Sequence, residues 1–315
     1  MLIKLKNCGI ITQISDTRES LLYLSVFSNI TLSYEMVGQM VKSLKSLKGC
    51  VIMHIFLLYP NGKEKALTLS YDDVTDHNIK FIELLEKFNI KCTFNLNGSR
   101  LLSDNVDTKL YDNPLLEVST HGFTHPIYTK MPTSAAMIEI IKDRQTLEEI
   151  FDRIIRGHAY PYGCNSEDIM EILKQAGIVY ARTVQSHRSF KLPENWLRWG
   201  ATCHHKDPEL SNLTDKFLND EVGNKDGFLF YLWGHAHEFP NDNNWNVIEE
   251  FFQRVANRDD IWYATNIEVY DYVTAYQNLV YSADAGMIYN PSATDVWVKI
   301  DGKAVQVPSG RTVVI

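Results

Sequence analysis

Between residues 66 and 279, short apolar runs alternate with segments of helical periodicity, and this alternation constrains the fold more than any other feature. Residues 66–70, 92–96 and 115–119 read as strands, and residues 79–88 and 134–151 as helices. Further strands are expected at 154–159, 178–184, 228–233 and 261–264, and further helices at 166–175, 245–256 and 267–279. Repeated β-α units predict parallel strands, arranged in a barrel or a doubly wound sheet. A chain of 315 residues accommodates one such α/β domain with small additions.

The flanks have a different texture. Met36, Val37, Met40, Val41, Leu44 and Leu47 recur at helical spacing, Gly49 is a C-terminal stop, and residues 51–58 form an apolar run of strand length. Beyond residue 279, short alternating runs at 287–289, 296–300, 304–307 and 312–315 are separated by turn residues. Among these turns Asp301-Gly302 is a hairpin signal. The expected division is an N-terminal extension (1–60), an α/β domain (61–280) and a small antiparallel β appendage (281–315).

Composition excludes some classes. A net charge of -8 without a basic stripe argues against a nucleic-acid partner. The five cysteines are scattered with no CxxC pair, so neither a zinc knuckle nor a disulfide framework is expected. Scattered thiols fit a reducing compartment. The N-terminus lacks the pattern of a signal peptide, and no apolar run approaches the roughly 20 residues that span a bilayer. A cytoplasmic protein without membrane contact is the expectation; the oligomeric state is left open.

Four strand-end segments carry candidate chemistry. Asp72-Asp73 ends the first barrel-type strand, the edge at which parallel α/β folds place active sites. Adjacent like charges resist joint ionisation unless a cation or proton takes up one of them. An ion on one would leave the other free as a base; a helix-capping turn is the other reading. His121-Gly-Phe-Thr-His125-Pro126 also follows a strand, and two histidines four apart face the same way on one helical turn. Pro126 ends any helix there. Two imidazoles and one carboxylate leave coordination positions open, which suits Zn²⁺, with Fe²⁺, Co²⁺ or Ni²⁺ as alternatives.

Trp233-Gly-His235-Ala-His237-Glu238 ends another apolar strand. His235 there suits a general acid, with His237 as a competitor and Glu238 able to orient either ring. Tyr160-Pro161-Tyr162-Gly163 either walls a sugar pocket with aromatic faces and backbone donors or only sets a turn. Trp199 offers a face for sugar stacking, although such residues are as often core. His204 and His205 are adjacent, so on a strand they point apart, which speaks against a second metal.

In order, these stretches resemble the polysaccharide deacetylase family, or NodB homology domain, over about residues 65–272. Leu69-Ser-Tyr-Asp72-Asp73 is similar to the family's first motif, and His121-Gly-Phe-Thr-His125 to its second. The resemblance implies Asp72 as base, Asp73, His121 and His125 as metal ligands, and His235 as acid. Tyr160, Pro161, Tyr162, Trp199 and Trp233 are the expected substrate contacts. It also implies a distorted (β/α) barrel with fewer than eight strands. Three positions depart from the pattern. Ala159 stands where the third motif usually has arginine, with Arg156 three residues further back. The fourth motif has no clean match, and Trp233 replaces the fifth motif's leucine.

The expected reaction is metal-dependent removal of an N-acetyl group from an amino sugar or polysaccharide. Alternatives are hydrolysis of another C–N bond in a small amide on the same fold, or a non-catalytic carbohydrate-binding role. The combination of base and acid argues against the last.

Overall fold

The computed structural model describes residues 2–4, 11–13, 54–103, 106–223 and 226–315. The chain divides into two compact units, residues 1–52 and 53–315. In the first unit, strands β1 (Leu2–Lys4) and β2 (Ile11–Gln13) pair antiparallel. The helix expected around residues 36–47 lies outside the described residues.

The second unit is built on a ring of parallel strands. Its members are β4 (Lys65–Asp72), β5 (Cys92–Leu96), β6 (Leu116–Thr120), β7 (Gly157–Ala159), β8 (Tyr180–Ser186), β9 (Trp199–Ala201), β10 (Cys203–His204) and β11 (Phe228–His235). Neighbours pair in the order β10-β11-β4-β5-β6-β7-β8-β9. β9 and β10 are halves of one bent segment: β9 pairs with β8, and β10 with β11. Thr202, at the bend, donates its N–H to the Tyr231 carbonyl at 2.9 Å. That segment closes the barrel. Distortion enters at β4, which pairs with β12 (Ile261–Tyr263) along its first residues and with β5 along its last. A distorted barrel is therefore the observed fold.

Side-chain alternation along β4 explains why the sequence folds this way. Leu67, Leu69 and Tyr71 face outward and join a core with Phe81 and Leu85 of the His77–Phe88 helix and Phe252 of the Trp245–Val255 helix. The intervening Thr68, Ser70 and Asp72 face the barrel axis. There Thr68 Oγ1 donates to Asn266 Oδ1 at 2.8 Å, and Asn95 Nδ2 donates to Ser70 Oγ at 2.7 Å. Glu117 of β6, also inside, accepts from Tyr180 Oη at 2.6 Å, Thr93 Oγ1 at 2.8 Å and Ile267 N at 2.9 Å. Polar groups can line this interior because they satisfy one another.

Gly157 on β7 shows how little room the interior leaves. A Cβ there would lie 2.1 Å from Tyr180 Oη and 2.8 Å from Ser119 Oγ. Gly157→Ala is therefore expected to destabilise by about 1–3 kcal/mol through overpacking and displacement of the Tyr180–Glu117 hydrogen bond. Urea unfolding checks this, and an unchanged midpoint would refute it.

The C-terminal strands are β13 (Val280–Tyr281), β14 (Met287–Tyr289), β15 (Val296–Ile300), β16 (Lys303–Val307) and β17 (Thr312–Val314). The β15–β16 hairpin turns at Asp301 (φ 47°) and Gly302 (φ 82°), the double positive-φ geometry that an Asp-Gly pair favours. β3 (Ile55–Leu58) pairs antiparallel with β15, so the strand preceding the barrel shares one sheet with the β15–β16 hairpin, while β13, β14 and β17 form a second small sheet.

Candidate metal centre

At the C-terminal ends of β4, β6 and β11 the sequence-derived residues meet. Asp73 leaves β4 at φ 71° with its N–H on the Asn95 carbonyl at 3.0 Å, a left-handed turn that separates its side chain from that of Asp72. Asp73 Oδ1 lies 4.0 Å from Nε2 of both His121 and His125. The two histidines do not share a helical turn, as their spacing had suggested. Gly122 (φ 77°) and His125 (φ 57°) fold the segment into a tight non-helical turn, closed by the His125 N–H on the Gly122 carbonyl at 3.1 Å. The two Nε2 atoms end 3.1 Å apart. Buried Asp143 anchors this turn, accepting the N–H of Gly98 at 2.7 Å and of His121 at 2.9 Å.

The tautomer of His121 tests whether an ion fits here. Its Nδ1 is 2.8 Å from the Ala159 carbonyl, which only accepts, so Nδ1 carries the proton and Nε2 presents a lone pair to His125 and Asp73. Burial pushes the His121 pKa down despite the nearby carboxylates, keeping the ring neutral as a ligand must be. Two nitrogens and a carboxylate oxygen within 4.8 Å of one another match a divalent ion bound at about 2.0–2.2 Å. The donor set fits such an ion.

Asp72 sits on the other side of the turn, buried, with Oδ1 accepting from Asn95 Nδ2 at 2.7 Å. Its Oδ2 lies 3.7 Å from Nε2 of both His121 and His235 and is hydrogen-bonded by Arg182 Nη2. Burial alone would raise the Asp72 pKa. Arg182, then His121 and His235, outweigh it and hold the carboxyl well below the usual range. For His235, burial opposes the charge but Glu238 and Asp72 outweigh it, so its pKa is raised. A low-pKa carboxylate beside a high-pKa imidazole is the pairing that a base and an acid require.

Arg182 is the residue that sequence reasoning missed. It arises on β8, is wholly buried, and stacks its guanidinium over the Trp233 ring at 4.4 Å. Arg156 cannot take this part, because it forms a partly exposed bidentate pair with Asp271 at 3.0 and 2.6 Å. An arginine two residues into a strand that opens with Tyr180 and Ala181 and continues with Thr183 and Val184 was the available signal.

The expected substrate contacts are not all reachable. Trp199 is 1% exposed, packed inside the barrel against Tyr180 and Tyr231, and it is a core residue. Tyr160 is also buried, donating its hydroxyl to the Leu197 carbonyl at 2.9 Å. Pro161 is buried, and Trp233 is 7% exposed beneath Arg182. Tyr162 remains, 59% exposed at φ 57°, its ring 4.5 Å edge-on from His125. Beside the centre, between the loops after Asp73 and His235, opens a cleft of about 1040 Å³ lined by Val74, His77, Arg100, Tyr111 and His237 among others. No helix among the described residues is long and apolar enough to cross a membrane.

Comparison with curated proteins gives no match. Among solved structures, a provisionally named polysaccharide deacetylase from Mycobacterium smegmatis superposes at TM-score 0.54 with 15% identity, covering 70% of this chain and 94% of that one. Puue allantoinase superposes at TM-score 0.53 with 10% identity, covering 67% and 90%. A family 4 carbohydrate esterase pseudoenzyme from Bacillus anthracis matches at TM-score 0.46 with 16% identity, over 68% of this chain and 67% of that one. At such identities the first two likenesses establish the fold. Residues 59–181 match the family model described as polysaccharide deacetylase, a segment holding Asp72, Asp73, His121 and His125, and the resemblance of this chain to the polysaccharide deacetylase family is thereby shown.

Proposed function

We propose that the protein is a metal-dependent hydrolase that removes an N-acetyl group from an amino sugar or polysaccharide. The observation that carries this is the convergence of Asp73, His121 and His125 beside an Asp72–His235 pair. Asp73, His121 and His125 would hold a divalent ion, Zn²⁺ by donor type. Bound there, such an ion would make water more acidic and polarise a substrate carbonyl.

The chain's own groups do the rest. Asp72 accepts a proton from the attacking water, whose oxygen bonds to the acetyl carbon. The C–N bond then breaks with its electron pair on nitrogen, and His235 Nε2 supplies the proton that completes the free amine. Acetate leaves. Asp72→Asn is expected to lower kcat on the order of 10²–10⁴-fold while metal content is retained. Acetate release from N-acetylglucosamine oligomers is the assay, and full turnover by this variant refutes the base assignment.

Hydrolysis of another C–N bond in a small amide is the second reading. It is favoured by the burial of Trp199 and Tyr160, which leaves Tyr162 as the exposed aromatic face beside the centre. Release of an amine or ammonia without acetate selects it.

A further inference from the structure

Behind His235 lies a second convergence of ligand-type groups. His204 Nε2 and His235 Nδ1 lie 3.1 and 3.0 Å from Glu238 Oε2, the spacing of a second metal site. His205 Nε2 stands 3.4 Å from the same oxygen. The adjacent histidines expected to point apart thus both face Glu238, because β10 ends at His204 and His205 lies beyond it.

The hydrogen-bond pattern argues against a metal in this arrangement. The backbone N–H of Lys206 donates to His204 Nδ1 at 3.0 Å, so that nitrogen holds a lone pair. The proton of a neutral ring then sits on Nε2, where it donates to Glu238 and blocks coordination. Glu238 Oε2 also accepts the backbone N–H of His235 at 3.1 Å, while Oε1 takes the Lys206 ammonium at 3.0 Å. Lys206 is itself tied to Asp242 at 2.7 Å. A carboxylate so supplied with donors stays charged, and it has two donors from His235 alone.

We infer that Glu238 is the positioning residue for His235, fixing a proton on Nδ1 and aiming Nε2 at the catalytic edge, where it faces Asp72 Oδ2 at 3.7 Å. This rests on the proposed role of His235 as acid. After His235 gives its Nε2 proton to the leaving nitrogen, the neutral ring is left as the Nδ1–H tautomer, the form that Glu238 holds. The carboxylate stands three residues after the histidine it serves. His204 and Lys206 support Glu238.

The test is histidine ¹⁵N NMR on the zinc-loaded protein at fixed pH, which needs no turnover. In the wild type the His235 signals should show a protonated Nδ1 with slow solvent exchange. In Glu238→Ala that proton should exchange fast. Glu238→Gln, which keeps one acceptor oxygen, should restore part of the protection. In the acetate-release assay Glu238→Ala should lower kcat about 10²-fold with KM within about twofold, inside the roughly 10²–10⁴-fold range of a positioned acid. A wild-type ring protonated on Nε2 alone, an unaltered Nδ1 proton in Glu238→Ala, or a KM change with kcat intact would overturn the inference. So would a second zinc per chain that Glu238→Ala abolishes. If the NMR pattern holds but no acetate is released by the wild type, the deacetylase reading fails and the positioning role stands.

Discussion

Arg182→Ala is expected to lower deacetylation on the order of 10²–10⁴-fold and to destabilise the barrel by about 3–5 kcal/mol. Both effects share one cause. The guanidinium is the main cationic partner of a carboxylate that is only 2% exposed, so its removal leaves a buried charge without its strongest counter-ion. Asp72 then regains neutrality by taking up a proton, and a protonated carboxyl is no base. The sign follows from the native state: the Asp72 pKa is depressed below its unfolded value, so the stability it contributes is present above the unfolded pKa and is lost as pH falls through the folded one. Arg182→Lys separates the two effects. It keeps a positive charge but loses the stack on Trp233 and the fixed fork, so the fold should survive while kcat falls by about tenfold or more. Urea unfolding together with acetate release measures both. An Arg182→Ala protein with native activity would remove the arginine from the account of the site.

Chelation is expected to abolish acetate release and to lower the unfolding temperature, and one equivalent of Zn²⁺ per chain is expected to restore both. The stability readout does not depend on finding the right substrate. An ion that binds only the folded chain stabilises it by about 2.7 kcal/mol when free ion exceeds the dissociation constant 100-fold. Asp73→Ala should lose most of this response, because Asp73 is the anionic donor among the three groups. Asp143→Ala should lose part of it, since the Asp143 carboxylate holds the backbone of the turn bearing His121 without touching an ion. A melting temperature indifferent to chelator and to zinc in all three proteins would rule out the metal site.

How much of this was readable beforehand depends on the range of each interaction. The apolar run at residues 66–70 disclosed a strand, and the Asp-Gly at 301–302 disclosed a hairpin, because both are local properties of the backbone. Spacing misled at His121 and His125, where positive φ at Gly122 and His125, not a helical turn, brings the rings together. Trp199 was misplaced because nothing local separates a tryptophan facing a groove from one filling the inside of a barrel. The register that sets Trp199 against Tyr180 and Tyr231 involves three strands.

By itself the sequence determined that Asp72, Asp73, His121, His125 and His235 stand at strand ends, since an apolar run followed by a polar turn marks its own terminus. It determined the parallel α/β class for the same reason. Only the tertiary structure decided that Arg182, 110 residues from Asp72, is the buried cation beside it. The same holds for Glu238 meeting His235, for the convergence of His204 and His205, and for the burial of Trp199, Tyr160 and Trp233. Inside a closed barrel, side chains meet across the axis, and which ones meet is set by strand register and closure through the bent segment from Trp199 to His204. Those are relations among distant segments that no local pattern encodes.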